Sequence, residues 1–125
     1  MRADVNGVRM TSQYILDAHF IVAALVIICA VVFSWNTMGR RVMVAVTGLQ
    51  FLVGLVVAGV FHPASSLIWL HLGGALAAML AYIFARRMGE RPGKGALALA
   101  LSLLGLLLVI GTFALGMTLA RGSIS

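Results

Sequence analysis

The chain has very little negative charge: three of its 125 residues are Asp or Glu, whereas nine are Lys or Arg, and the formal net charge is +6. Its single cysteine, Cys29, excludes an intramolecular disulfide. Its two prolines, Pro63 and Pro92, lie between the long apolar segments and interrupt none of them. Only 10% of residues are charged, 62% are hydrophobic and the mean hydropathy is +1.12, so a water-soluble domain is excluded because it would aggregate.

Four segments meet the requirement of about 20 apolar residues for a helix that spans a membrane. They extend over residues 14–35, 42–61, 66–84 and 96–120. A β-barrel would instead show alternating segments of about ten residues. Because the four spans and their short loops use nearly the whole chain, no room is left for a soluble catalytic domain. The sequence predicts one domain, residues 1–125, that is an all-α polytopic membrane protein with four transmembrane helices.

Basic residues alternate between the two predicted membrane surfaces. Six of them follow the first and third spans, namely Arg40, Arg41, Arg86, Arg87, Arg91 and Lys94, and only Arg2, Arg9 and Arg121 lie on the other side. The positive-inside tendency therefore predicts that both termini are outside a bacterial or archaeal-type inner or cell membrane. Clustering at membrane boundaries favours anionic lipid headgroups, rather than nucleic acid, as the partner of the positive charge.

Two histidines, His19 and His71, lie five or six residues inside the first and third predicted spans. These spans should run parallel, so the rise along a helix predicts that both imidazoles lie about 7 to 9 Å below the outer ends. Imidazoles at equal depth on neighbouring helices can ligate one haem iron from opposite sides. Since one cysteine cannot form the Cys-x-x-Cys-His motif of covalent haem attachment, the pattern predicts one b-type haem per chain, with its propionates toward the outer surface.

Three further residues are candidates for contact with this haem. His62 ends the second span before Pro63; there it would contact a propionate, bind a metal or have no role. Gly74 lies in a run of small residues that lets a macrocycle or a neighbouring helix approach closely. Gln50 should face the bundle interior, where it would bond to another helix or to a bound group. Asp17 points about 200° away from His19 on a helix, so any orienting bond to that imidazole must come from another helix or from water.

The stretch from Arg40 to Arg87 resembles two consecutive helices in one half of the haem A synthase family. Gln50, Gly54, Leu70 and His71 stand where that family has a glutamine, a glycine and a leucine-histidine pair. The span that contains His19 resembles the preceding family helix, whose histidine is the opposing axial ligand, so the resemblance covers more than half of the chain. It implies a haem-binding four-helix fold.

The chain departs from the family pattern at two places. The family has a glutamate three residues before the first histidine and usually an arginine directly after it, where this chain has Leu16 and Phe20. The glutamate is the family's expected catalytic carboxylate, so the resemblance carries over the haem-binding fold and not the oxidation of a haem methyl group.

The leading interpretation is a small b-type membrane cytochrome that serves electron transfer or haem handling, with no catalytic residue of its own. It would act as a subunit of a larger membrane complex or as a homo-oligomer, and a quinol is a possible electron donor. Two alternatives stay open: a cofactor-free structural or assembly subunit, and a haem A synthase-like enzyme.

Overall fold

A computed structural model of the chain describes residues 5–62 and 64–124. The described residues form four α-helices and no strand: α1 Val5–Phe33, α2 Thr37–Phe61, α3 Leu67–Gly89 and α4 Gly95–Ile124. Each helix is long and apolar enough to cross a membrane. The predicted all-α bundle of four transmembrane helices is therefore confirmed. Arg2 and Pro63, to which the sequence analysis referred, lie outside the described residues.

The helices extend further than the apolar segments on which the prediction rested. Helix α1 begins at Val5 rather than near residue 14, and α2 begins at Thr37, so that Arg40 and Arg41 lie in its first turns and not in a loop. The side chain of Asn36 caps α2 by accepting a hydrogen bond from the backbone N–H of Gly39 at 2.7 Å. Helix propensity does not account for the extension of α1, because its first turns contain Asn6, Gly7, Thr11 and Ser12, which are residue types of low propensity.

The four helices form a ring in which each helix packs against the next, and α1 closes the ring against α4. The α3–α4 interface is the most extensive and the α1–α4 interface is the thinnest. Short loops place consecutive helices side by side. As a consequence α1 and α3 lie diagonally across the bundle, so the expectation that His19 and His71 lie on neighbouring helices is wrong.

The interior is filled by a few side chains and by small residues that let the helices approach. Tyr82 of α3 is fully buried, and its hydroxyl lies 2.8 Å from the hydroxyl of Ser34, which follows α1. Gly105 of α4 makes room for the ring, because a Cβ at that position would lie 2.8 Å from Cε2 of Tyr82. Large apolar side chains such as Leu107 face outward, as expected for helices in lipid.

Replacement of Gly105 by alanine should destabilise the bundle, because the added methyl group collides with a ring that its own hydrogen bond holds in place. Overpacking of this kind costs about 1–3 kcal/mol. Gly111→Ala is the matched control on the same helix, since a Cβ there meets nothing within 4 Å. Thermal unfolding in detergent should show a lowered Tm for Gly105→Ala only. Equal Tm values for the two variants would contradict this packing.

Candidate functional site

His19 of α1 and His71 of α3 meet inside the bundle. Their ring centres are 6.4 Å apart and the ring planes are inclined by 81°. His19 is buried, with 8% of its surface exposed, and His71 is partly buried. The structure thus brings together the two residues that the sequence selected as a pair.

The two histidines lie at the same level in the bundle, but not at the equal distances from the starts of their helices that the sequence predicted. His19 lies 14 residues after the start of α1 at Val5, whereas His71 lies four residues after the start of α3 at Leu67. Because the rings nevertheless meet, the start of α1 projects beyond that of α3 by ten residues, or about 15 Å of helix.

A polar group on a third or fourth helix contacts the Nδ1 atom of each imidazole. Nε2 of Gln50, on α2, lies 3.2 Å from Nδ1 of His19 and 3.4 Å from its carbonyl oxygen. Nδ1 of His71 lies 2.9 Å from the carbonyl oxygen of Thr112 on α4. Since a carbonyl only accepts, Nδ1 of His71 carries the proton and donates it. In the neutral ring this leaves a lone pair on Nε2 of His71, the state that metal ligation needs.

Gln50 has an unsatisfied atom, because its Oε1 is buried and has no hydrogen-bond partner. A half-turn of the amide exchanges Oε1 with Nε2 and would let Oε1 accept from Nδ1–H of His19, at the loss of the hydrogen bond from Nε2 to the carbonyl oxygen of His19. In that arrangement His19, like His71, offers the lone pair of its Nε2. Within residues 5–62 and 64–124, neither Nε2 forms a hydrogen bond.

Two adjoining cavities meet at the histidine pair. Their volumes are about 50 and 60 Å³, well below the range of about 300–1,000 Å³ that is usual for ligand sites, so a large ligand would require the helices to move apart. The residues that line both are His19, Phe20, Gly54, His71 and Gly116. Apart from Thr47, Gln50, Thr112 and the histidines the lining is apolar, so the two imidazoles lie in largely apolar surroundings.

Glycines on α2 and α4 lie directly against the two imidazoles. A Cβ at Gly116 would lie 2.9 Å from Cε1 of His71, and one at Gly54 would lie 3.6 Å from Cε1 of His19. Between α1 and α4, the rings of Phe20 and Phe113 contact each other edge to face, with centres 6.1 Å apart. Sequence reasoning missed the place of Gly116 and of the Thr112 carbonyl, because neither residue type distinguishes a site from ordinary helix packing.

The other candidates lie away from the cavities. Gly74 packs against α4, where a Cβ would lie 2.5 Å from Oγ1 of Thr112, and it lines neither cavity. His62 is exposed and caps α2 in the left-handed conformation, with φ of 44°. Asp17 is also exposed, and its carboxylate accepts a hydrogen bond from Nε2 of Gln13 at 3.0 Å. As predicted, Asp17 does not orient His19.

The donor set fits haem iron better than a metal held by protein alone. In the described part of the chain, no three residues among His, Cys, Asp and Glu are grouped to hold a metal ion, whereas protein zinc sites use three or four such ligands. Iron in haem needs only axial ligands from the protein. With imidazole–metal bonds of about 2.0–2.1 Å, two opposed imidazoles have ring centres about 6 to 6.5 Å apart. The separation of 6.4 Å falls in that range.

Comparisons with models of known protein families, with curated proteins and with solved structures find no significant match to this chain. The resemblance to the haem A synthase family therefore depends on the residues quoted above.

The bond between Gln50 and His19 should couple the stabilities of their variants. Interhelical hydrogen bonds in membrane proteins contribute about 0.6 kcal/mol on average. A double-mutant cycle of Gln50→Leu, His19→Leu and the double variant should therefore give a coupling energy of about 0.6 kcal/mol. Unfolding in detergent and denaturant measures it. The control cycle pairs Gln50→Leu with Thr118→Val, since Thr118 bonds within α4, and should be additive. Additivity in both cycles would refute the bond.

Proposed function

We propose that this chain is a small b-type haem protein of the membrane, in which His19 and His71 are the axial ligands of one haem. It would serve electron transfer or haem handling as a subunit of a larger membrane complex or as a homo-oligomer. The observation that supports this proposal most strongly is the pair itself: two imidazoles across a bundle, each contacted at Nδ1 and free of hydrogen bonds at Nε2.

The chain's own residues would hold the group and set its surroundings. Gln50 and the carbonyl of Thr112 orient the imidazoles, while Gly54 and Gly116 let the rings lie close to the backbones of α2 and α4. The other residues around the pair are mostly apolar. When bound, haem supplies one-electron redox chemistry, and two protein ligands leave no coordination position open for oxygen.

The charge distribution supports an orientation for this site. His71 precedes Arg86 by 15 residues on α3, so the pair lies about 22 Å from the end of the bundle where six basic residues cluster. If the basic end is cytoplasmic, as the positive-inside tendency favours, the pair belongs to the outer half of the membrane. A donor such as a quinol or a partner subunit would then approach from the outer side.

The site supports haem binding more than haem modification. Among the described residues, no carboxylate lines either cavity, and Asp17, the acidic residue nearest to His19 in sequence, is turned outward to Gln13. Oxidation of a haem methyl group by an enzyme of the haem A synthase type would need another group in place of the family's glutamate. The pyridine haemochrome spectrum distinguishes the products of such an enzyme from haem b.

One observation favours a second candidate, a structural or assembly subunit without a cofactor. The bonds of Gln50 to His19 and of His71 to Thr112 join all four helices in two pairs, so the histidines would also stabilise a bundle that binds nothing. Optical absorption separates the two candidates.

The first experiment is the reduced-minus-oxidised spectrum of the detergent-purified protein from haem-replete cells. Sharp α and Soret bands should appear in the wild type and be lost in His19→Ala and His71→Ala, because each variant lacks one axial ligand. His62→Ala is the control and should keep the bands, since His62 lines neither cavity. A colourless wild type would refute haem binding and leave the structural role.

Gln50→Leu should keep the bis-histidine spectrum and raise the midpoint potential. A group that accepts from Nδ1–H makes the imidazole more basic and so favours ferric iron; its removal favours ferrous iron. Potentiometric titration measures the change. Gln13→Leu, at an exposed position on α1, should leave the potential unchanged. A lowered or equal potential in Gln50→Leu would mean that Gln50 does not accept from His19.

A further inference from the structure

Arg40 is a buried cation at the basic end of the bundle. Only 7% of its surface is exposed, although it lies in the first turns of α2. Its Nε donates to Oγ of Ser102 on α4 at 2.9 Å, and that hydroxyl in turn donates to the carbonyl of Ala98 at 2.9 Å. One edge of the guanidinium is thus fixed to α4, which leaves Nη1 and Nη2 as the free end.

No carboxylate neutralises Arg40 in the described part of the chain. Glu90, the one acidic residue at this end, accepts from Arg41 at 3.1 Å and lies 3.6 Å from Nε of Arg86. The hydrogen bond from Arg41 lowers the pKa of Glu90, so this carboxylate is already engaged as an anion. An arginine does not lose its proton to relieve burial, and a buried charge is costly unless it is paired. Arg40 therefore has no counter-ion among the described residues, and its Nη atoms can take an anion from outside the chain.

A second arginine lies close to the first. Among the described residues, Nε of Arg86 on α3 forms no hydrogen bond, and its counter-ion is Glu90, whose Oε1 lies 3.6 Å away. Arg40 reaches the same turn of α3, because a Cβ at Gly89 would lie 2.6 Å from its Nη1. Gly89 is one turn beyond Arg86, so the two guanidinium groups approach the same corner of the bundle. Two neighbouring arginines are a usual protein partner of a phosphate.

We propose that Arg40 and Arg86 form a binding site for the phosphate of an anionic phospholipid headgroup between α2, α3 and α4. Arg40 and Arg86 lie where the apolar spans end, which is the level of the headgroups, and basic pockets between transmembrane helices are known to take such headgroups. The site is separate from the histidine pair and does not depend on haem. Free phosphate offers the same chemistry, so the test has to separate the two sources.

Native mass spectrometry of the full chain, released from micelles that contain phosphatidylglycerol or phosphatidylcholine, measures the bound lipid. The wild type should retain phosphatidylglycerol in preference, and Arg40→Gln should lower that retention roughly tenfold, which corresponds to one lost charge-assisted contact. Arg87→Gln is the matched control, with the same charge change on an exposed side chain at the same end. Retention that falls equally in both variants would overturn the proposal in favour of unspecific attraction.

Two further arms complete the test. In the first arm, excess inorganic phosphate is added to the wild type. If phosphate displaces the lipid and raises the Tm of the protein, free phosphate is an occupant of the site. If the lipid stays bound, the occupant is the headgroup. If Arg40→Gln does not fold, Arg86→Gln takes its place, because Arg86 is more exposed and bonds to no buried group. Unchanged retention in a folded Arg86→Gln or Arg40→Gln variant would refute the site.

Discussion

The bundle depends on one constraint: inside a membrane, a polar side chain has no water and must find its partner on another helix or on its own backbone. The described interior follows this constraint closely, with hydrogen bonds between neighbouring helices and between helices that lie diagonally across the ring. These bonds join Ser34 to Tyr82, Gln50 to His19, His71 to the carbonyl of Thr112, and Arg40 to Ser102. Oε1 of Gln50, which is buried without a hydrogen-bond partner in the described part of the chain, lies at the proposed haem site.

Small residues have two separate roles in this chain, and only the structure distinguishes them. Gly74 and Gly105 allow α3 and α4 to approach, since a Cβ at either position would collide with a side chain of the other helix. Gly54 and Gly116 instead line both cavities, where a Cβ at Gly116 would collide with the ring of His71 and one at Gly54 would make an ordinary contact with that of His19. The two sets look alike in sequence, because a helix face that packs and a helix face that lines a cavity both select small residues.

The fold could be predicted from the sequence because length and hydropathy alone determine it: four long apolar segments in lipid permit only helices. The pairing of His19 with His71 was also within reach, since it needs only the topology and the rise per residue. The burial of Arg40 could not be predicted, because a basic residue near the end of a span is expected to contact lipid headgroups. The interior position of the Arg40 side chain depends on the space beside Gly89. The diagonal placement of α1 and α3 was not predicted either, because it follows from how the four helices close into a ring.

The thin interface between α1 and α4 has a consequence for how the interior is reached. Of the four helix–helix interfaces, the α1–α4 interface has the least contact to break. The edge-to-face contact of Phe20 with Phe113 lies across this interface, beside the histidines. Local opening of a protein begins where the fewest contacts are lost. A flat, apolar molecule dissolved in the bilayer would therefore enter sideways between these two helices, with the α3–α4 pair still packed, and would not need to pass through water.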